Sequence, residues 1–412
     1  MHRLISPAPS AVSLGSGAYW PQLDGIRAIA FAMVFLHHHG LVVGGPLIVN
    51  WYVGRMCEWG WLGVDLFFVL SGFLVTYLLC SESRVNGTVS LGKFYLRRAL
   101  RIWPLYFLVL LLVCIAYPIF AHTGPLTGFG GFLKKVLIPM SLFVGNFTMW
   151  QNLPRMHEFA ASAGLQAMIF VATLAPFWSL CVEEQFYLLW GGAARVCKTA
   201  VKLMCCAVAL AVVGCLSRFA LLSTGDRTLS HGVYYMNTLW HIEPIMLGAI
   251  VALLFSLKPN WFSRFRAGWL PPLVMSVCLV TVGVVIAWAP GIGSWKLALA
   301  PAMSMFSLSF SLMLAVSLQW NPLIKLLSVK PLVFVGKLTF AMYVFHLFVI
   351  WSTQKALNLQ QLTPQNSALS MVLCFALTLA AAAISWTTFE KPFNNLRHKL
   401  HPVSPADKQS GL

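Results

Sequence analysis

The chain has 412 residues, 59% of them hydrophobic and only 9% charged, with a mean hydropathy of +0.78. A soluble domain carries about 25% charged and about 45–50% apolar residues, so this chain cannot cover a water-facing surface of its size. An ordinary soluble globule, a disordered chain, a coiled coil and a secreted disulfide scaffold are excluded, which leaves an all-α polytopic membrane protein. Lys and Arg number 28 against 11 Asp and Glu, a formal charge of +17. In a membrane chain such an excess holds loops on the cytoplasmic side, and no nucleic-acid partner is expected.

Residues 1–22 lack the apolar stretch of a secretory signal and read as a short cytoplasmic segment. The first strongly apolar run begins at Ile26. A crossing helix needs about 20 mostly apolar residues. Candidate spans lie near 27–43, 61–80, 102–121, 166–190, 203–222, 238–256, 270–288, 297–317, 338–354 and 367–386. A weaker run, 132–150, opens on Lys134 and Lys135 and is interrupted by Pro139, Gly145 and Asn146. With ten spans and both termini cytoplasmic, the inner segments collect 20 of the 28 basic residues. An eleventh crossing at 132–150 would turn the clusters at 195–202, 258–266 and 325–337 outward, against the charge rule. That run is therefore expected to be interfacial or re-entrant. Asn146-Phe-Thr within it matches a glycosylation sequon, a pattern common by chance.

In the first span Arg27 and His38 are eleven residues apart, about 16 Å along a helix axis and about 20° beyond three full turns. They share a face, with a cation expected at the cytoplasmic edge and an imidazole near mid-membrane. His37 and His39 point about 100° to either side. Imidazole is the usual general base at neutral pH, and a basic mouth suits an elongated anionic substrate. No metal site is expected, since no HxxxH or HExxH spacing occurs. In the second span Asp65 is an ionisable group in an apolar run, and Gly63, Ser71 and Gly72 permit close helix approach. At the mouth of the third, Arg97, Arg98 and Arg101 sit at i, i+3 and i, i+4 spacing beside Trp103 and Tyr106, with Pro104 expected in an early turn. Three guanidiniums there suit phosphate binding. Glu183 and Glu184 in the fourth span, His241 and Glu243 in the sixth and His346 in the ninth complete the costly polar groups. The bland reading of His241 and His346 is structural. The ten cysteines form no CxxC pair, and no disulfide is expected.

Several segments match one pattern together: LDGIRAIAFAMVFLHH (23–38), GWLGVDLFFVLSGFLVTYLL (60–79), FYLRRALRIWPLYF (94–107), WSLCVEEQFYLLW (178–190), FAMYVFHLFVIW (340–351) and FEKPF (389–393). In that order they resemble the acyltransferase family 3 proteins, integral-membrane O-acyltransferases. The resemblance implies a transmembrane acyltransferase domain over 23–393, followed by a cytoplasmic tail over 394–412, in the inner (plasma) membrane. The chain stops soon after the last motif, so it is expected among the single-domain members that lack a fused hydrolase-like domain. The family's Arg-(ten residues)-His motif lands on Arg27 and His38, with the His as catalytic base. Its RRxxRxxP motif lands on Arg97, Arg98, Arg101 and Pro104, associated with binding a cytoplasmic acyl-CoA donor, here expected to be acetyl-CoA. Glu184 or Asp65 is then the expected third member that orients His38. The expected acceptor is a hydroxyl of a cell-surface or lipid-linked carbohydrate, with a small glycosylated metabolite as the alternative. No permanently bound cofactor is expected. A proton-coupled transporter or flippase is the competing class, and it would work without acyl-CoA.

Overall fold

In hydrocarbon every backbone N–H and C=O needs a partner within the segment itself, which leaves the helix as the default for apolar runs of this kind. The computed structural model describes residues 19–42, 44, 46–120, 131, 133–148, 173–197, 199–223, 235–289, 298–359 and 362–400, and among them no strand occurs. The helices are Pro21–His39 (α1), Leu47–Trp59 (α2), Leu62–Asn86 (α3), Leu91–Phe120 (α4), Ile138–Ser141 (α5), Phe177–Val196 (α6), Ala200–Ser223 (α7) and Thr238–Leu257 (α8). They continue with Pro259–Phe262 (α9), Leu270–Trp288 (α10), Leu299–Ser317 (α11), Asn321–Leu327 (α12), Lys330–Ala356 (α13), Pro364–Ser385 (α14) and Lys391–Lys399 (α15). A π-helical turn, Trp386–Glu390, joins α14 to α15.

Among the described residues eight helices are long and apolar enough to cross a membrane: α3, α4, α7, α8, α10, α11, α13 and α14. The first and fourth expected spans correspond to α1 and α6, 19 and 20 residues long. Their acidic, basic and imidazole side chains dilute the apolar character that marks the other eight. The chain is thus an all-α polytopic membrane protein. The described part of 132–150 is no eleventh crossing. It consists of a π-helical turn, Leu133–Leu137, then α5, and a break at Phe143, where φ is 55°. Most of the segments expected to be cytoplasmic at either end, 1–18 and 401–412, lie outside the described residues, as do 166–172 of the fourth expected span.

Two helix starts differ from expectation. Proline at the first position, whose missing N–H costs nothing there, starts α1 at Pro21, so Arg27 lies in the second turn rather than opening the helix. The other is α4, which begins at Leu91; Arg97, Arg98 and Arg101 are helical residues, and Pro104 is the fourteenth of the helix rather than in an early turn. A membrane helix absorbs such a proline because neighbouring groups answer the freed carbonyl.

Packing centres on α3 and α8, which contribute to both clusters of buried apolar side chains. Their backbones touch at a pair of glycines. A Cβ on Gly72 would collide with the Ile245 carbonyl oxygen, and one on Gly248 with that of Val69. The same closeness seats α1 against α13, where Gly336 lies on the Asp24 carbonyl. These two helices run parallel, because Asp24 meets Gly336 at one end and His38 meets His346 at the other. Helix α13 continues ten residues past His346, about 15 Å at 1.5 Å per residue. His38, although in the last turn of α1, is therefore well inside the length of the bundle.

The crossing yields a stability prediction. Gly72→Ala or Gly248→Ala forces the α3 and α8 backbones apart, an overpacking cost of about 1–3 kcal/mol. Gly192→Ala, in a helix where an added Cβ meets nothing within 4 Å, is neutral or stabilising. Thermal unfolding of the detergent-solubilised variants checks the order, and equal melting of all three would refute it.

Candidate functional site

The basic residues at one end of the bundle surround a chamber of about 520 Å³ between α1, α4, α13 and α15. Arg27, Arg101, Lys337 and Arg397 line it. Its acidic walls are Asp24 and Glu390, and both are engaged. Asp24 accepts from Arg27 Nη1 at 2.5 Å and from the Tyr19 hydroxyl at 2.8 Å, and Glu390 accepts from Ser385 Oγ at 2.7 Å. Nε of Arg397 is buried without a hydrogen-bond partner. The volume falls in the range of about 300–1,000 Å³ usual for small-molecule sites, and the lining is strongly cationic.

Arg27, Arg101, Thr339 and Phe340 also line a second, narrower cavity of about 80 Å³ that runs inward. Arg98 flanks it, its guanidinium 5.6 Å from the Tyr187 ring centre and 5.9 Å from that of Phe94, a cation–π seat that leaves the charge facing the space. Opposite stands Glu183, whose Oε1 accepts from Ser71 Oγ at 2.5 Å and from the Tyr187 hydroxyl. The inner wall is Tyr343 and Ser179, hydroxyl to hydroxyl at 2.7 Å.

Behind Tyr343 lies a pair of histidines. The Tyr343 and His346 ring centres are 5.5 Å apart, and those of His346 and His38 are 4.9 Å apart. His346 is fully buried, whereas His38 is exposed. Nδ1 of His38 lies 3.0 Å from the Val34 carbonyl and 3.1 Å from Nε2 of His346. Neither cavity is lined by His38. Its neighbours in sequence are engaged elsewhere: His37 Nδ1 with the Cys57 carbonyl at 2.9 Å, and His39 Nε2 with Ser370 Oγ at 3.1 Å.

Other candidates are held by structural partners. Arg97 donates to Glu82 at 2.5 Å and to the Leu400 carbonyl at 3.2 Å, and both side chains of that ion pair are 4% exposed. Asp65 accepts from His241 Nδ1 at 2.8 Å, while His241 Nε2 lies 2.6 Å from the Tyr235 carbonyl. Both ring nitrogens of His241 are thus engaged. Glu184 accepts a long bond, 3.3 Å, from Trp103 Nε1. Neither Asp65 nor Glu184 bonds to His38. Glu243 pairs with Arg218 at 2.6 Å. Asn146 is buried, donating to the Met236 carbonyl and Thr238 Oγ1 and accepting from Gln185, so the sequon presents no accessible amide. Among the described residues no three His, Cys, Asp or Glu side chains converge to hold a metal.

Comparison with known proteins agrees with this arrangement of motifs. A family described as an acyltransferase domain matches residues 20–387. The chain belongs to this acyltransferase family. It is 26% identical over 407 residues to the O-acetyltransferase OatA of Staphylococcus aureus, covering 95% of this chain and 60% of that protein. It is 32% identical over 176 residues to the peptidoglycan O-acetyltransferase OatA of Listeria monocytogenes, covering 42% of this chain and 24% of that one. A putative O-acetyltransferase of S. aureus is 25% identical over 389 residues, 91% of this chain and 57% of its own. The chain thus spans at most about three fifths of the curated relatives it matches. No solved structure matches it.

Within this acyltransferase domain the structure brings Arg27, Arg98 and Arg101 to one cavity together with Glu183, which the sequence marked only as a costly polar group, and adds Tyr343, Lys337 and Arg397, which sequence reasoning did not select. The FEKPF segment carried a partial signal, because Glu390 and Phe393 line the chamber and Arg397 follows Phe393 by one helical turn. Nothing local pointed to Lys337.

The two classes of arginine separate experimentally. Arg97→Ala leaves Glu82 buried and unpaired, at an expected cost of about 3–5 kcal/mol, and melts far below wild type. Arg101→Ala removes a cation that faces a cavity and melts close to wild type. Thermal unfolding in detergent distinguishes them, and matched melting temperatures would overturn the assignment.

Proposed function

We propose that the chain is a membrane O-acyltransferase that moves an acetyl-sized group from acyl-CoA to a hydroxyl of a cell-envelope carbohydrate. The observation that carries the reading is the cationic space: a chamber lined by four basic side chains that shares Arg27, Arg101, Thr339 and Phe340 with a smaller cavity ending at Tyr343. That sequence of spaces suits a polyphosphate head and a thin thioester arm. The names of the relatives, O-acetyltransferases and in one case a peptidoglycan O-acetyltransferase, support an acetyl group and a carbohydrate acceptor. Loop charge supports a cytoplasmic position for the basic end in the inner (plasma) membrane, where acyl-CoA is available.

In this reading Arg27, Arg101, Lys337 and Arg397 hold the phosphates, and Arg98 neutralises charge along the arm. The thioester reaches His38 once the Tyr343 phenol leaves Ser179, since that contact closes the inner passage here. Nε2 of His38 takes the proton of the acceptor hydroxyl as its oxygen attacks the thioester carbonyl. The C–S bond then breaks, and the thiolate leaves with the proton carried by the imidazolium, giving an ester and free CoA. No permanently bound cofactor takes part.

Transfer from acetyl-CoA by purified protein, read by mass spectrometry of envelope glycans, tests the reading. His38→Ala lowers transfer by about 10²–10⁴ without changing membrane insertion. Lys337→Ala and Arg397→Ala each raise the donor KM by about tenfold, the worth of one charge-assisted hydrogen bond, and blunt its dependence on salt. Undiminished transfer by His38→Ala, or donor KM values indifferent to all four cations, would reject it.

A further inference from the structure

We infer that His346 is the residue that positions the catalytic imidazole, acting as a hydrogen-bond acceptor that fixes the tautomer of His38. This inference rests on the proposed role of His38 as base. Atoms that can only accept fix the position of each hydrogen. Nδ1 of His346 lies 2.6 Å from the Tyr343 carbonyl oxygen, which has no proton to give, so Nδ1 carries the hydrogen. In a neutral imidazole the other nitrogen is then a lone pair, and Nε2 of His346 presents that lone pair to Nδ1 of His38 at 3.1 Å. Nδ1 of His38 also faces the Val34 carbonyl at 3.0 Å. Two acceptors converge on it, so Nδ1 holds the hydrogen and Nε2 is left unprotonated. Among the described residues Nε2 of His38 makes no hydrogen bond, and His38 is the exposed member of the pair. Nε2 is thus the nitrogen of His38 that keeps a free lone pair.

The chain from the Tyr343 carbonyl through His346 to His38 does what a buried carboxylate does in a serine-protease triad. It selects one tautomer, aims the ring and accepts from Nδ1 when Nε2 becomes protonated. Among the described residues no carboxylate fills that place: Asp65 is bonded to His241 and Glu184 to Trp103. His346 is itself immobilised, fully buried, with the Phe31 ring edge-on at 5.9 Å. Losing the orienting group of a triad costs about 10⁴ in kcat. The loss here is smaller because the Val34 carbonyl remains as a second acceptor.

Glutamine and asparagine separate positioning from packing. Gln places an amide oxygen near the Nε2 position of the replaced ring and restores the acceptor for His38. Asn places a donor near the Nδ1 position and restores only the bond to the Tyr343 carbonyl. With acetyl-CoA as donor, His346→Leu and His346→Asn should lower kcat about tenfold to a hundredfold with the donor KM within twofold of wild type. His346→Gln should regain most of that loss. Rescue by Asn rather than Gln would show that His346 merely packs α13, and wild-type kcat in all three variants would dismiss it altogether. Either result overturns the inference. Thermal unfolding of each variant is recorded alongside, and the Asn and Gln comparison remains decisive if the Leu variant fails to fold. His38→Ala is assayed in parallel. Full transfer there defeats the role of His38 itself, whereas an inactive His38→Ala beside a fully active His346→Leu defeats only the positioning.

Discussion

Ionisable groups inside a bundle this apolar must find partners on neighbouring helices, because water is not there to answer them. That requirement sorts the polar residues of this chain. Glu82 of α3 captures Arg97 of α4, Glu243 of α8 captures Arg218 of α7, and Asp65 of α3 captures His241 of α8. Each pair ties two helices together and is spent in doing so. Arg98, Arg101, Lys337 and Arg397 face the cavities with no carboxylate partner among the described residues, Arg27 faces them while paired with Asp24 of its own helix, and His38 lies beyond them. Chemistry is available where pairing stops.

The pairing depends in turn on close backbone approach. Asp65 reaches His241 because α3 and α8 meet at Gly72 and Gly248, about two turns further along each helix. Likewise α1 and α13 meet at Asp24 and Gly336, which sets the distance at which His38 and His346 can share a hydrogen. Small residues fix the spacing and polar residues use it. In a bilayer, where apolar surface gains little by leaving lipid, packing and interhelical hydrogen bonds are the main forces that hold such contacts.

Hydropathy alone placed eight of the ten expected spans on helices long and apolar enough to cross a membrane among the described residues, and loop charge kept 132–150 from being taken as an eleventh. Helical phase put Arg27 and His38 on one face of α1, and the α1 stripe of Arg27, Phe31, Val34 and His38 follows that phase. Phase could not separate Arg97 from Arg98, since both are close neighbours of Arg101 on a helical surface. The difference lies in Glu82, on another helix, which takes one and not the other. The same blindness explains why Glu184 was favoured over Glu183. Adjacent residues differ by about 100° on a helix, and only the rotation of α6 in the bundle decides which faces the cavity. His346 lies 308 positions from its partner, and no local pattern encodes that pairing. The chain boundaries of α1 and α4 were missed because hydropathy marks the apolar stretch, while helices extend into their polar flanks.

One helix face links the separate parts of the site. Gly336, Thr339, Tyr343 and His346 recur at spacings of three and four along α13, so they form a single stripe against α1. Along it lie in turn the close contact with Asp24, the wall shared by both cavities, the inner closure and the partner of His38. Tyr343 serves two of these functions through different atoms. Its phenol bonds to Ser179 and closes the passage, whereas its carbonyl oxygen holds Nδ1 of His346. Rotation of the side chain about its χ angles moves the first and leaves the second in place. Opening the passage therefore need not disturb the tautomer of His38, and the imidazole stays aimed while the barrier beside it moves.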